Sequence, residues 1–319
     1  MGGKEPARKE NTMKRILSLV LSFMMLLGIG VLASADADVS DFKISAPSGA
    51  PALALAVLAV ENPENYTFVA ADTITAEFAN ATADFIIAPL NAGAKLYQMG
   101  KSTYKLGAVV SWGNLYFASQ RENFTLEDIN GAELTLFGEN TINSSVALYA
   151  LEQNGLKPAS VNYLAGAANT QSLLLSDENA IVLTAEPALT AAQMKNDKIT
   201  AYALNDLYRE ATGNDGFTQA ALFIRQETLE TRPEGVNAYL ELVKESADKC
   251  TTDPNAVAEA AVALEILPNV KVALHALPNC AIRYCSALDA KDQIETTANI
   301  DLTQFGGAVP ADDFYYEAK

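Results

Sequence analysis

Histidine is almost missing from this chain: of 319 residues, His275 is the only one. No multi-histidine metal site and no H-E-x-x-H pair can be built from it. Its surroundings, Val270 to Leu277, are largely apolar. They predict a half-buried, hydrogen-bonded imidazole, which leaves no base for a histidine-dependent triad. Cysteine is scarce as well, with Cys250, Cys280 and Cys285 making an odd set of three. At most one disulfide can form. Cys280 and Cys285 have neither the spacing nor the histidine partners of a zinc site, so the thiols read as buried side chains and no metal is expected. Cations are also few, with 22 Lys and Arg against 39 Asp and Glu. That balance makes nucleic acid and anionic lipid poor partners. There is no G-x-G-x-x-G, no P-loop, no short internal repeat and no low-complexity tract, and no carboxylate pair has a spacing that marks a hydrolase. The residues support neither catalysis nor a cofactor.

Beyond Leu32 there is no apolar run long enough to span a bilayer, but one precedes it. Lys14 and Arg15 lead into the apolar stretch Ile16 to Leu32, which closes on Ala33-Ser34-Ala35. A charged start, an apolar middle and small residues at −3 and −1 describe a secretory signal peptide over residues 1–35. Met13 fits as the functional start, with residues 1–12 a dispensable extension. An uncleaved leader acting as an anchor is the alternative. No cysteine follows the apolar run to carry a lipid. Without residues 1–35 the chain loses five cationic and two acidic side chains, and its net charge moves from −17 to −20. The expected location is outside the cytoplasm, periplasmic or at the cell surface.

From Phe42 to Tyr202 short β-rich runs alternate with helical ones. Strands are expected near 42–45, 66–70, 85–88, 106–110, 115–119, 133–137, 161–164, 180–184 and 199–203. Between them the spacing predicts helices over 50–60, 73–80, 91–99, 142–154, 169–176 and 187–194. Such alternation gives an α/β fold with mostly parallel sheets flanked by helices. The strands suffice for two sheets, so the chain divides into one lobe from 36–127 and 219–319 and another from 128–218. The crossings fall at Leu126 to Gly131 and near Asp215 to Gln219. One more strand, at 220–225, precedes helices at 233–246 and 255–267 and a helical stretch over 281–297. The late helices are expected to return over the first lobe.

In open parallel sheets, solutes bind beyond the carboxyl ends of the strands. Ser48, Gly49 and Ala50 follow the first strand and enter a helix with Pro51 in its first turn, where free N–H groups could hold an anion or a carbonyl; simple helix capping is the alternative. Pro89 and Asn91 follow the third strand. Asn140, Thr141 and Ser144 begin a second-lobe helix, and Asn169 begins another. Glu186, at a strand end beside Pro187, could accept from a ligand amine or merely favour the helix start. Trp112, between Ser111 and Gly113, could offer a stacking face or serve as core.

Taken in order, Ala46-Pro47-Ser48-Gly49-Ala50-Pro51, Ala83-Asp84-Phe85-Ile86-Ile87-Ala88-Pro89, Leu106-Gly107-Ala108-Val109-Val110, Asp128-Ile129-Asn130-Gly131, Ala185-Glu186-Pro187-Ala188 and Arg232-Pro233-Glu234 resemble the solute-binding proteins of ABC importers with the type II periplasmic-binding-protein fold. The resemblance covers nearly all of residues 41–319. It is to the branch that includes nitrate, taurine, alkanesulfonate and thiamine-precursor binders. It implies two lobes joined by two crossing strands, closing on a small solute in the cleft between them, with ABC permease subunits as membrane partners and a monomeric receptor. It admits, as alternatives, an enzyme related to thiamine-pyrimidine synthesis with a reactive Lys or His, or an extracytoplasmic sensory module. Arg121, Arg209, Arg225, Arg232 and Arg283 all lie outside the strand-end loops. A neutral or aminated ring held by Trp112, Tyr97, Asn91 and Glu186 is therefore favoured over an anion.

Overall fold

The computed structural model describes residues 38–318, so the leader expected over residues 1–35 lies outside the described residues. Among the described residues eleven strands form two sheets. They are β1 (Ile44–Pro47), β2 (Tyr66–Val69), β3 (Phe85–Pro89), β4 (Lys105–Ser111), β5 (Leu115–Ser119), β6 (Glu133–Phe137), β7 (Ser160–Leu164), β8 (Ile181–Ala185), β9 (Thr200–Ala203), β10 (Ala220–Ile224) and β11 (Ile282–Ser286). The first sheet has the order β11-β4-β10-β3-β1-β2 and the second β7-β6-β8-β5-β9.

In each sheet four strands share one direction. β1 pairs parallel with β2 and β3, and β6 with β7 and β8. The strand arriving from the opposite lobe then inserts antiparallel: β10 between β3 and β4, and β5 between β8 and β9. The sequence of these strands follows from their position. Central β3, β8 and β10 read Phe-Ile-Ile-Ala-Pro, Ile-Val-Leu-Thr-Ala and Ala-Ala-Leu-Phe-Ile, and every residue but Pro89 is buried. A strand covered on both faces needs such a continuous run. Edge strand β7, Ser-Val-Asn-Tyr-Leu, alternates with exposed positions.

Alternation along the strands also divides the core. Phe85 and Ile87 face Leu222, Ile224 and Tyr239 on one side of the first sheet, and Ile86 and Ala88 face Phe223 and Phe314 on the other. The period of two in strand side chains produces this division. The second face belongs to one continuous cluster running from Phe78 and Tyr104 through Trp112 and Phe117 to Leu136, Val146 and Ile294. The two lobes therefore share packed apolar contact.

Several sequence expectations are corrected. Residues 115–119 enter the second sheet, so the chain first crosses at Trp112-Gly113-Asn114 and not at Leu126 to Gly131. The latter segment is a capped turn in which the Asp128 carboxylate accepts the Thr125 N–H at 2.7 Å. The expected helical stretch 281–297 instead begins with β11, antiparallel to β4 and broken by a register shift, and becomes helical only at Lys291–Ile300. Short helices at Leu204–Thr212, Gln226–Thr231 and Val270–Ala276 were unforeseen. His275, in the last of these, is exposed and not half-buried, with Nδ1 2.8 Å from the Lys271 carbonyl. The helix Pro233–Thr252 does cover the first sheet, placing Val236, Tyr239, Leu240 and Val243 in its core. By contrast, Lys291–Ile300 reaches the second lobe, where the Tyr208 hydroxyl lies 3.2 Å from Thr297 Oγ1. Among the described residues no helix is long and apolar enough to cross a membrane.

Candidate functional site

The carboxyl ends of β1, β3 and β6 face a cleft of about 340 Å³. From the first lobe it is lined by Pro47, Ser48 and Pro51 after β1, Ala71 after β2, and Pro89, Asn91 and Ala92 around the end of β3. Thr141, Ile142 and Asn143, at the head of the helix Ile142–Gln153, close the opposite wall. The two crossings contribute Asn114 and Gln219, with Ala220 beside the latter, and Gln304 comes from the C-terminal segment. The lining is neutral throughout. Its polar groups are the carboxamides of Asn91, Asn114, Asn143, Gln219 and Gln304 and the hydroxyls of Ser48 and Thr141.

Local chemistry fixes most of these groups. Thr141 Oγ1 donates to the Gly138 carbonyl at 2.6 Å, and Gly138 turns the chain at φ +71°, so the helix start is locked under the cleft. Asn114 Nδ2 donates to the Glu186 carbonyl at 2.8 Å. The Gln219 side chain accepts from Ser111 Oγ at 3.1 Å, while its backbone carbonyl accepts the first-turn N–H of Leu90 at 3.0 Å. Asn91 differs: among the described residues its Oδ1 is buried without a hydrogen-bond partner.

A second, more open recess of about 480 Å³ is lined by Arg121, Glu122, Asn123 and Lys198 among others. It lies where β5 ends and β8 and β9 begin, the amino-terminal side of the parallel strands. Open sheets place their ligands at the other side.

The chain matches the NMT1/THI5-like family over residues 79–257, more than half its length. It belongs to that family. No curated protein sequence matches this NMT1/THI5-like chain. Among solved structures it is similar to an ABC transporter protein from Parabacteroides distasonis, at 23% identity over 88% of this chain and 100% of that one, with a TM-score of 0.75. The periplasmic aliphatic sulphonate-binding protein SsuA of Escherichia coli gives a TM-score of 0.66 at 14% identity, over 87% of this chain and 92% of that one. The alkanesulfonate-binding protein SsuA of Xanthomonas axonopodis pv. citri, bound to MOPS, gives 0.61 at 15% identity, over 89% and 99%. These likenesses establish the two-lobed periplasmic-binding-protein fold.

Within this NMT1/THI5-like fold the cleft brings together Ser48, Pro89, Asn91 and Thr141 of the residues singled out from sequence. Gly49 and Ala50 lie beside it: Gly49 takes φ +116° to turn the chain, and Ala50 is buried. Ser144 is buried, its hydroxyl donating to the Thr141 carbonyl at 2.9 Å as part of the helix cap. Asn140 and Asn169 are exposed outside the lining. Ser111 is wholly buried beneath Gln219.

Trp112 is a core residue. It is 4% exposed, Nε1 donates to the Arg283 carbonyl at 2.9 Å, and the Arg283 guanidinium covers its ring at 4.3 Å. Gly113, at φ +86°, lets the crossing pass Phe217 and Asn205, which a Cβ would meet at 2.6 and 2.5 Å. Tyr97 donates to Asp313 Oδ2 at 2.9 Å in the last turn of its helix, outside the cleft. Glu186 is 3% exposed and turned inward: Thr190 N–H and Oγ1 donate to its carboxylate at 3.0 and 2.9 Å, and Asn279 Nδ2 at 3.5 Å. Burial pushes its pKa up, against the lowering effect of those bonds.

Sequence reasoning missed Asn114, Asn143, Gln219 and Gln304. Gln219 stands immediately before an apolar central strand, and Asn114 immediately after the Trp112-Gly113 turn. Those positions at lobe crossings were the available signal. Gln304 had none, being brought to the cleft only by the path of the C-terminal segment.

All three cysteines are free thiols. Burial pushes Cys250 up to about 12 and raises Cys280 and Cys285 as well.

Proposed function

We propose that this protein is an extracytoplasmic solute-binding receptor that captures a small organic solute and delivers it to the permease of an ABC importer, acting as a monomer without chemical turnover. The observation that carries this reading is the neutral cleft lined from both lobes and from both crossings. A solute held there touches groups on each side, so it binds the closed arrangement better than an open one and shifts the lobe equilibrium by that difference. The crossings at 112–114 and 213–219 are the hinge in this reading. The structural likeness to binding components of ABC importers supports it, and so does the leader pattern ahead of residue 36. The lining offers no ionisable side chain for general acid–base work.

The test is thermal unfolding of the purified protein with and without a small-molecule extract. A bound solute raises stability by RT ln(1 + [L]/Kd), about 2.7 kcal/mol at a hundredfold excess over Kd. Stabilisation with recovery of the solute unchanged supports the receptor; recovery of a converted product overturns it.

A further inference from the structure

The chain passes between the lobes a third time, near its end. From β11 in the first sheet it runs into the helix Lys291–Ile300, where Ile294 and Ala298 are wholly buried and Thr297 Oγ1 lies 3.2 Å from the Tyr208 hydroxyl of the second lobe. The short 3-10 helix Leu302–Phe305 is already back on the first lobe. Gln98, ending the helix Leu90–Gln98, donates through Nε2 to the Phe305 carbonyl at 2.7 Å and to the Ala308 carbonyl at 3.0 Å. Both partners are carbonyls, so only an amide nitrogen can face them. The passage therefore falls on Asp301.

The Asp301 carboxylate takes donors from both sides of that junction. Oδ1 accepts from the Thr303 N–H at 3.2 Å and from Thr303 Oγ1 at 2.5 Å, capping the 3-10 turn. Oδ2 accepts from Ser145 Oγ at 2.8 Å, one turn into the second-lobe helix whose head closes the cleft. The turn so capped carries Gln304, which lines the cleft and whose N–H donates to the Asp301 carbonyl at 3.1 Å.

The geometry points to Asp301 as a positioning residue of the solute cleft: it sets the turn that brings Gln304 into the lining, and through Ser145 it fastens that turn to the second lobe in the closed arrangement. Separation of the lobes at this junction loosens one set of bonds or the other. A hydrogen bond made in the closed arrangement alone raises the closed-to-open ratio by its net strength, about two- to tenfold for a bond of ordinary size. Residues 300–302 are then a third hinge point beside the crossings at 112–114 and 213–219. This inference rests on the receptor reading above, which supplies the open arrangement.

The experiment reads the cleft mouth directly. Asp72, next to the lining residue Ala71, and Glu139, two residues before Thr141, are exposed on opposite lobes. Asp72→Cys and Glu139→Cys carry spin labels in a Cys285→Ser background, which leaves only the two buried thiols. Electron–electron double resonance then gives the distance distribution without added solute. Ser145→Ala and Asp301→Ala should each broaden it towards longer distances, whereas Ser145→Thr, which keeps the hydroxyl, should match the parent. In thermal unfolding with the small-molecule extract, the amount giving half-maximal stabilisation should rise about two- to tenfold in both alanine variants. Distributions unchanged in both, even with lower melting temperatures, make the contact merely structural and overturn the inference. Failure of the parent protein to respond to the extract counts against the receptor reading alone, because the distances are read without it.

Discussion

Gln219 Nε2 reaches Asn143 Oδ1 at 3.4 Å, so the return crossing and the head of a second-lobe helix hold each other across the cleft. The bond is long, and bonds of this kind contribute about 0.5–1.5 kcal/mol at best. Gln219→Leu removes this bond and also leaves the buried Ser111 hydroxyl without its acceptor, so it should destabilise by about 1–3 kcal/mol. It should weaken binding of the captured solute by about tenfold, because a cleft carboxamide is lost. Calorimetric titration of the variant beside its melting curve separates the two effects. A large melting shift with intact binding would show that the pair is structural.

Trp112 should behave as core. Its indole is covered by the Arg283 guanidinium and bonded to the Arg283 carbonyl. Trp112→Ala should destabilise by about 3–5 kcal/mol, the range for large aromatic truncations. Urea unfolding measures this. A variant of near wild-type stability that fails to bind solute would instead place the ring in the cleft.

Gly216 approaches the first crossing so closely that a Cβ would lie 2.3 Å from the Trp112 carbonyl oxygen. Because the obstacle is backbone, it cannot rotate away. Gly216→Ala should cost at least about 1–3 kcal/mol, as overpacking does. The cost should appear as a lower urea midpoint with an unchanged slope.

Glu186 titrates in the direction burial dictates, with its folded pKa raised from 4.5. A carboxyl whose folded pKa lies above its unfolded value contributes stability that is complete below about 4.5 and is lost as pH rises through the folded pKa. Glu186→Gln removes that dependence. The stability of the variant relative to wild type should therefore increase as pH rises from 4.5 towards neutrality. Unfolding titrations of both proteins at several pH values check it, and parallel curves would refute it. The Tyr116 hydroxyl and the Cys280 thiol, both raised by burial first and by Glu186 second, are the ionisable neighbours and stay neutral in this range.

The helix Lys291–Ile300 and the segment after it tie the lobes together. Ser145 Oγ donates to Asp301 Oδ2 at 2.8 Å, and Thr218 N–H to Thr297 Oγ1 at 3.2 Å. A double-mutant cycle on Ser145→Ala and Asp301→Asn should return a coupling of about 0.5–1.5 kcal/mol. Additive melting shifts would show that the contact contributes nothing.

Strand positions were legible because buried central strands must be unbroken apolar runs, as in Phe85 to Ala88 and Ala220 to Ile224. The sheet that receives each strand was less legible. Leu115 to Ser119 looks the same whether it pairs with β4 or β8, and only the antiparallel partners Ile181 to Ala185 decide it. The strand Ile282–Ser286 carries Arg283, Tyr284 and Cys285, a mixture that suits an edge and gives no clean period. At the site, Ser48, Asn91 and Thr141 were found because strand-end loops are local in sequence. Gln219 and Gln304 were missed because their place in the cleft depends on contacts made by distant chain. For Glu186 and Trp112 the sequence leaves a ligand-facing and an inward reading open, because nothing local says which way a strand-end residue turns, and the structure buries both.

The exchange of strands has a consequence for how the molecule assembles during synthesis. All five strands of the second sheet come from the continuous stretch 115–203, whereas the middle of the first sheet stays vacant until residues 220–224 have been made, and its border until 282–286. The amino-terminal half of the first lobe is thus made before the second lobe and completed after it. In the interval β3 and β4 carry unsatisfied backbone edges, a condition that suits threading through a narrow pore and invites aggregation if emergence stalls.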